Sequence, residues 1–308
     1  MNISFACRIV RSKPENPDKR DRRARAVCGL SLCLVLLAGC GRQQQPEPGP
    51  APSRPRLVTL APNLTEIVCA VGGIATLVGR SSACDYPPEL TERVPVVGDF
   101  GVPSLERIVA VRPTHVLFTE LADASVLHRT AELGLSTCPV PCAQLDDIPP
   151  AIRTVGGYAG CSAAAQALAA ELADRVAELR ARAAAVEDRP RVFVEIWGDP
   201  LTTAGKSSFL SELVRLAGGA NLGDDSPAAY FQVSSEWVVA QDPERIVCLY
   251  MGREAVRNLV LKRAGWQGIS AVRSGRVYDG LPNALLLRPG PRVLEGVAAL
   301  ARCIREEQ

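Results

Sequence analysis

The sequence predicts an α/β protein with two Rossmann-like lobes, each built on a parallel sheet, joined by one long rigid helix. Short apolar segments alternate with amphipathic ones, which is typical of parallel βαβ units. The order strand, loop, helix and Gly-Gly occurs twice, over residues 56–73 and 191–219. Between the two copies, residues 162–186 are rich in alanine and repeat apolar side chains at spacings of 3, 4 or 7, as an amphipathic helix does.

The N-terminal segment predicts export. Residues 1–25 carry eight Lys/Arg and three Asp/Glu, and an apolar run of 13 residues follows. That run is too short to span a bilayer and has the length of a signal-peptide core. It ends in LAGC, so residues 1–39 are predicted to be a lipoprotein signal peptide and Cys40 the lipidated residue. A short signal anchor with an incidental cysteine is the alternative.

A tether and three folded segments follow in the prediction. Residues 40–55 are rich in Gln and Pro, which favours a flexible tether to a membrane-anchored lipid on the periplasmic or extracytoplasmic face. The folded segments are a first lobe at 56–160, a bridging helix at 161–188 and a second lobe at 189–308. At 1.5 Å per residue, a helix over 162–186 spans about 37 Å, enough to cross between lobes.

Local motifs predict where individual elements begin. In the first lobe, the strand RLVTLA is followed by Asn63 and Glu66 at the spacing of a helix capping box. In the second lobe, the strand RVFVEIW leads through the loop DPLTTAGKSS into the helix FLSELVRLA. Both helices are closed by a Gly-Gly pair, which is typical of a helix C-terminus.

One pattern occurs in both predicted lobes. PSLERIVAVRP at 103–113 and SSEWVVAQDPERIV at 234–247 align so that Glu106 matches Glu236. Both glutamates lie near a predicted helix N-terminus, where the helix dipole favours the ionised carboxylate. A general acid needs a raised pKa instead, so the pair is not expected to be catalytic.

Composition and motifs exclude several kinds of function. Removing the eight basic and three acidic residues of the signal peptide from the chain's 35 and 33 leaves 27 and 30, a net charge of −3, so no nucleic-acid surface is expected. The segment AGKSS lacks a phosphate-binding loop's first glycine, because Pro200 holds that position. With only His115 and His128 and no CxxC, no bare metal site and no cofactor are predicted.

Seven cysteines remain after the signal peptide and Cys40. An exported domain meets an oxidising compartment, so some are expected to pair, although the odd number leaves at least one without a partner in the chain. Cys138, Cys142 and Cys161 flank one connection and are the expected region for a bridge.

Aromatic residues are scarce, at 5% of the chain, yet several stand in predicted loops after strands. They include Tyr86, Phe100, Trp197 and Tyr230. In parallel α/β sheets, ligands bind beyond the carboxyl ends of the strands, where aromatic rings suit a large flat ligand. Local loop packing is the alternative for any single ring, but rings in both predicted lobes favour a binding site.

Seven motifs in order resemble the cobalamin and iron–siderophore solute-binding proteins of ABC importers. They are RLVTLAPNLTEIVCAVG, CDYPPEL, VGDFGVPSLERIVAVRP, EIWGDPLTTAGK, LAGGANL, QVSSEWVVAQDPERIV and LRPGPRVLEG, and they cover roughly residues 56–304. The DYPP and D-P-x-x-T-x-G-K motifs are most similar to the cobalamin-binding members. The resemblance implies a monomer with two lobes that move little, which holds a ligand between them and delivers it to an ABC permease dimer.

The resemblance also implies ligand-binding residues. Those that match the family's motifs are Pro62 and Asn63 in the first loop, Tyr86 in DYPP and Arg288 in LRPGPR. Those that depart from the cobalamin-binding members are Phe100 and Tyr230 in place of tryptophan, Thr202 in place of phenylalanine, and Ala284 in place of aspartate. These departures leave room for another bulky ligand.

Three functional hypotheses follow. The first is capture of a corrinoid, with any metal arriving inside the ligand. The second is a ferric siderophore or heme. Basic cleft residues beyond Arg288 would favour an anionic siderophore, and only Lys206 and Arg80 are further candidates, so the corrinoid is preferred. The third is an enzyme or signalling module on the same scaffold. In the first two, the resemblance implies that Glu106 and Glu236, one per lobe, meet arginines of the permease subunits.

Overall fold

A computed structural model describes residues 54–122, 124–250 and 256–305. The predicted signal peptide, the predicted lipidation site Cys40 and most of the predicted tether lie outside these residues. Within the described ranges, every helix is too short or too polar to cross a membrane.

The first lobe contains a six-stranded sheet in the order β4-β3-β2-β1-β5-β6. Its strands are β1 Leu57–Thr59, β2 Leu77–Ser81, β3 Val96–Asp99, β4 Val102–Pro103, β5 His115–Phe118 and β6 Thr137–Pro139. Its helices are α1 Pro62–Ala70, α2 Pro88–Arg93, α3 Leu105–Ala110, α4 Ala124–Glu132 and α5 Ile148–Tyr158. Every strand pair is parallel except β3–β4 at the edge.

The bridging helix is α6, which spans Ser162–Ala184. It packs against α5 and against α7 of the second lobe, Phe209–Leu216. Arg180 on α6 pairs with Asp146 of the first lobe at 2.8 Å and with Glu212 of α7 at 2.6 Å. One core cluster runs from α1 through α6 into α7, so the two lobes share apolar packing.

The second lobe also contains a six-stranded sheet, ordered β10-β8-β7-β11-β12 with β9 beside β7. Its strands are β7 Arg191–Gly198, β8 Leu201–Ala204, β9 Ala220–Asn221, β10 Tyr230–Gln232, β11 Arg245–Cys248 and β12 Val277–Tyr278. Its remaining helices are α8 Ser235–Gln241, α9 Val256–Leu261, α10 Ser270–Arg273, α11 Asn283–Leu286 and α12 Val293–Arg305. The two α/β lobes and the long helix confirm the predicted fold class.

The sheets are mixed, whereas the sequence predicted parallel ones. β4 runs antiparallel to β3, and β8 runs antiparallel to both β7 and β10. For β3–β4 and β7–β8 the reason is the length of the connections, Phe100-Gly101 and Asp199-Pro200, which have two residues each. A two-residue link joins antiparallel strands, while a parallel pair needs a crossover of a dozen residues or more.

Two local expectations are wrong. The helix α1 begins at Pro62 after Ala61, and Asn63 and Glu66 form no capping box, because both side chains reach across to the LRPGPR segment of the second lobe. The cysteines of the expected bridge region, Cys138, Cys142 and Cys161, are free thiols, as are the other four that the structure describes.

Candidate functional site

The LRPGPR segment of the second lobe lies against the start of α1. Asn63 is buried at 6% exposure, and its Nδ2 donates to the carbonyl oxygen of Pro289 at 3.1 Å. The thiol of Cys142 donates to the same oxygen at 3.2 Å. The predicted ligand-binding residues Pro62 and Asn63 thus lie beside the predicted Arg288, but the Asn63 amide is already engaged by protein.

Four charged side chains, Glu66, Asp85, Arg288 and Arg292, form an interlobe charge cluster. Glu66 is buried at 5% exposure and accepts from Nε and Nη2 of Arg292 at 2.9 and 2.8 Å. Arg288 donates through Nη1 and Nη2 to the two carboxylate oxygens of Asp85 at 2.6 and 3.2 Å. The Arg288 hydrogen bond lowers the pKa of the Asp85 carboxyl below its ordinary value. Two positive and two negative groups leave the cluster balanced in charge.

Tyr86 stands on this cluster. Its ring is 40% exposed, and the guanidinium carbon of Arg292 lies 3.5 Å from the ring centroid. A cation over an aromatic face is attracted by the ring quadrupole, which holds the ring in place. The predicted residues Tyr86 and Arg288 therefore lie at the same cluster, Tyr86 through its contact with Arg292 and Arg288 through Asp85.

Phe100 occupies a second place, at the carboxyl ends of β1 and β5. It is 47% exposed and lines an apolar pocket with Leu60, Ala61, Pro103 and Phe118. The pocket is confined to the first lobe. It offers an apolar surface at the edge of the sheet where ligands of parallel α/β sheets bind.

Trp197 and Thr202 occupy a third place, paired across β7 and β8. Trp197 is 44% exposed, and its Nε1 donates to the carbonyl oxygen of Asp199 at 2.8 Å. The Thr202 hydroxyl donates to the carbonyl oxygen of Pro200, also at 2.8 Å. The Trp197 ring stacks on Tyr250, with centroids 5.9 Å apart and planes at 26°.

The ring beneath Trp197 belongs to a buried polar network. The Tyr250 hydroxyl donates to the carboxylate of Glu195, which is fully buried and also accepts from Nη1 and Nη2 of Arg263 at 2.9 and 2.7 Å. Gly198 leaves room for this tyrosine, since a Cβ there would lie 2.3 Å from the Tyr250 oxygen. The network holds Tyr250 under the exposed indole.

Tyr230 is separate from these three places. It is 50% exposed and lies on the edge strand β10, opposite Ala204 and two residues further along β8 than Thr202. The β8–β10 pairing was not anticipated, and it sets Tyr230 back from the Trp197–Thr202 pair.

The repeated glutamates lie on matching helices. Ser104 and Ser234 are the N-cap residues of α3 and α8, and each accepts from the backbone N–H three residues on. Glu106 and Glu236 follow in the first turns and are exposed. The backbone N–H of Glu236 and the Ser234 hydroxyl donate to the Glu236 carboxylate and lower its pKa. The structure thus presents one exposed acid on each lobe.

Arg80, one of the two further basic residues predicted for the cleft, is not available to a ligand. Arg80 is buried at 7% exposure and donates to the carbonyl oxygens of Val94 and Cys84 at 3.0 and 2.9 Å, so it holds the loop before β3 together. Lys206 is exposed in the loop before α7. In the part of the chain that the structure describes, no group of three His, Cys, Asp or Glu has the arrangement of a metal site.

Sequence reasoning missed five charged or polar residues at the site: Glu66, Asp85, Arg292, Glu195 and Tyr250. One signal was available, because a single glutamate interrupts the apolar strand RVFVEIW, and an acid in a buried strand requires a partner. The pairings across the lobes left no such signal. In place of the aspartate expected at Ala284, Asp85 of the other lobe supplies a carboxylate to Arg288.

The comparisons with known proteins agree with the motifs. The model of the family described as "Periplasmic binding protein" matches residues 57–284. The uncharacterized ABC transporter substrate-binding lipoprotein YvrC of Bacillus subtilis (strain 168) is 30% identical over 257 residues, which cover 81% of this chain and 79% of YvrC. The vitamin B12-binding protein of Salmonella choleraesuis (strain SC-B67) is 33% identical over 194 residues, which cover 63% and 71% of the two chains.

A solved structure shows the same architecture. The periplasmic heme-binding protein RhuT from Roseiflexus sp. RS-1, in its apo form, superposes with a TM-score of 0.74 at 28% identity. The superposition covers 82% of this chain and 98% of RhuT. The resemblance that the sequence motifs indicated is confirmed, while the ligand-binding and docking roles of individual residues stay predictions.

Proposed function

The chain belongs to the periplasmic binding protein family, and on that premise we propose that it is a lipid-anchored solute-binding protein that captures a corrinoid between its lobes. The protein acts as a monomer and holds no resident cofactor of its own. It delivers the corrinoid to an ABC permease dimer. Cys40 carries the lipid that holds it to the membrane on the periplasmic or extracytoplasmic side.

One observation carries the proposal. Among the residues that the structure describes, the exposed aromatic side chains are Tyr86, Phe100, Trp197 and Tyr230, at 40, 47, 44 and 50% exposure. Large rings are costly to leave in water, and these four stand on both lobes, Tyr86 and Phe100 in connections after strands, Trp197 near the end of the central strand β7 and Tyr230 on the edge strand β10. A broad macrocycle held between the lobes would contact rings of both lobes by stacking.

The charge of the site favours a corrinoid over an anionic ligand. The interlobe charge cluster has no net charge, and Arg80 is not available to a ligand. The periphery of a corrinoid carries mostly neutral amides, which hydrogen-bond to such a site without adding charge. The 33% identical relative named for vitamin B12 supports the same choice.

Heme is the second candidate. The similar solved structure named for heme shares the fold at 28% identity, and heme is also a flat macrocycle that would stack on exposed rings. Heme differs from a corrinoid in its two carboxylates, which need cationic partners. The two arginines of the interlobe charge cluster are already paired with Asp85 and Glu66.

Calorimetry of the purified protein with cyanocobalamin, cobinamide, heme and ferric siderophores tests the proposal. We expect a corrinoid to bind with a micromolar or tighter dissociation constant. Trp197→Ala and Phe100→Ala should each weaken that binding by about 3- to 10-fold, as loss of an aromatic contact does. Leu259→Ala, at a side chain 54% exposed on α9, is the matched control. Absence of corrinoid binding at micromolar concentrations would refute the proposal.

Docking is tested separately. The double variant Glu106→Ala/Glu236→Ala should reduce association with the reconstituted permease and leave ligand affinity unchanged, because surface charges act on orientation and encounter rate. Glu92→Ala/Glu187→Ala, which removes two other exposed glutamates, is the control for net charge. If ligand affinity falls in the first variant, the docking assignment is wrong.

A further inference from the structure

The arginine that the motifs assign to ligand binding already has a carboxylate partner. Arg288 forms a two-point ion pair with Asp85, at 2.6 and 3.2 Å, and its Nη1 also lies 3.5 Å from Oε1 of Glu66. Asp85 belongs to the first lobe and Arg288 to the second. The pair therefore closes over the place where a ligand carboxylate would otherwise find its cation.

The two acids of the cluster differ in accessibility. The Glu66 side chain is 5% exposed and is held by Arg292 through two hydrogen bonds, so a ligand does not reach it. The Asp85 side chain is 61% exposed, against 20% for Arg288. Beside the exposed Tyr86, Asp85 is therefore more accessible from solvent than Arg288.

We propose that Asp85 is a specificity-determining residue that shields Arg288 and so discriminates against ligands with a carboxylate at this position. The inference rests on the proposed function, since it assumes that the ligand lies against Tyr86. A ligand carboxylate must displace Asp85 from Arg288 or add a third negative charge to a balanced cluster, and both are unfavourable. A ligand amide instead donates to the carboxylate lone pairs that Arg288 leaves unused.

The experiment compares two variants that remove one negative charge from neighbouring positions. Asp85→Asn removes the two-point partner of Arg288 and leaves it only the Glu66 oxygen at 3.5 Å, whereas Glu89→Gln, at an exposed residue in the first turn of α2, leaves the ion pair intact. The probes are heme and heme dimethyl ester, which share a macrocycle and differ in their carboxylates. Binding is measured by absorbance titration of the purified protein.

We expect Asp85→Asn to bind heme about 10- to 100-fold more tightly than the unaltered protein, the effect of one charge-assisted hydrogen bond. Glu89→Gln should not change heme affinity, and neither variant should change affinity for the dimethyl ester. Asp85→Ala should act in the same direction as Asp85→Asn. The double variant Asp85→Asn/Arg288→Gln should lose the gain.

Three results would overturn the inference. They are an unchanged heme affinity in Asp85→Asn, an equal gain in Glu89→Gln, or a gain that persists when Arg288 is replaced. The first excludes discrimination by Asp85, the second shows a general effect of charge, and the third shows that Arg288 is not the shielded group. Failure of the proposed function gives a different result, which is the absence of cyanocobalamin binding to the unaltered protein in calorimetry.

Discussion

Two adjacent glycines of α5 offer a controlled test of the packing between α5 and the bridging helix α6. A Cβ built on Gly156 would lie 2.1 Å from the Cβ of Ala165 on α6, whereas a Cβ on Gly157 meets no atom within 4 Å. Gly156 is buried and Gly157 is exposed. Replacing each by alanine adds the same methyl group to the same helix, once into the α5–α6 contact and once into solvent.

The magnitude follows from the distances. Both substitutions gain helix propensity, about 1 kcal/mol for alanine over glycine. At Gly156 the new methyl group needs roughly 3.5–4 Å from its neighbour, so α5 and α6 must separate by about 1.5 Å or more. Overpacking of a core costs about 1–3 kcal/mol. The free energy of unfolding of Gly156→Ala should therefore be lower than that of Gly157→Ala by about 1–3 kcal/mol.

Urea unfolding of the purified variants, followed by far-UV circular dichroism, measures this difference. Since the propensity gain is common to both, it cancels and leaves the steric cost of the α5–α6 contact. Equal midpoints and equal slopes for the two variants would show that the helices are not in contact at Gly156. The reasoning about how α6 is held would then be wrong.

Two other predictions concern buried groups. Arg263→Met leaves the fully buried Glu195 carboxylate without its cation and should lower the free energy of unfolding by about 3–5 kcal/mol. The control Arg191→Met removes a surface ion pair and should cost about 0–1 kcal/mol. Equal losses for the two variants in urea unfolding would contradict this. Burial raises the pKa of the Cys142 thiol to about 12, so the thiol stays protonated at pH 8. It should therefore resist alkylation by iodoacetamide until the protein unfolds, because the thiolate is the reactive form. Peptide mass spectrometry of the labelled protein measures this. Rapid labelling of the folded protein would refute that environment.

Local sequence information was sufficient for elements whose cause is local. The helix α6 follows from its composition and apolar spacing, and Ser104 and Ser234 cap their helices through a backbone N–H three residues away. Tyr86 and Phe100 follow strands as predicted, because turn signals lie next to them, whereas Trp197 and Tyr230, also predicted in loops, lie within β7 and β10. The antiparallel pairs β3–β4 and β7–β8 could also have been deduced, since each connection has only two residues.

The chemistry of the site required the tertiary structure. Asp85 and Arg288 are 203 residues apart, and Glu66 and Arg292 are 226 apart, so no periodicity relates them. The spacing of Glu66 predicted a capping box, yet its partner in the structure is Arg292 of the other lobe. A buried carboxylate is stabilised more by a two-point ion pair than by a cap in solvent. The sequence by itself determined the family, the two lobes and the rings that face solvent. Only the packing of one lobe on the other decided which charges meet, since that depends on the relative placement of loops far apart in the chain.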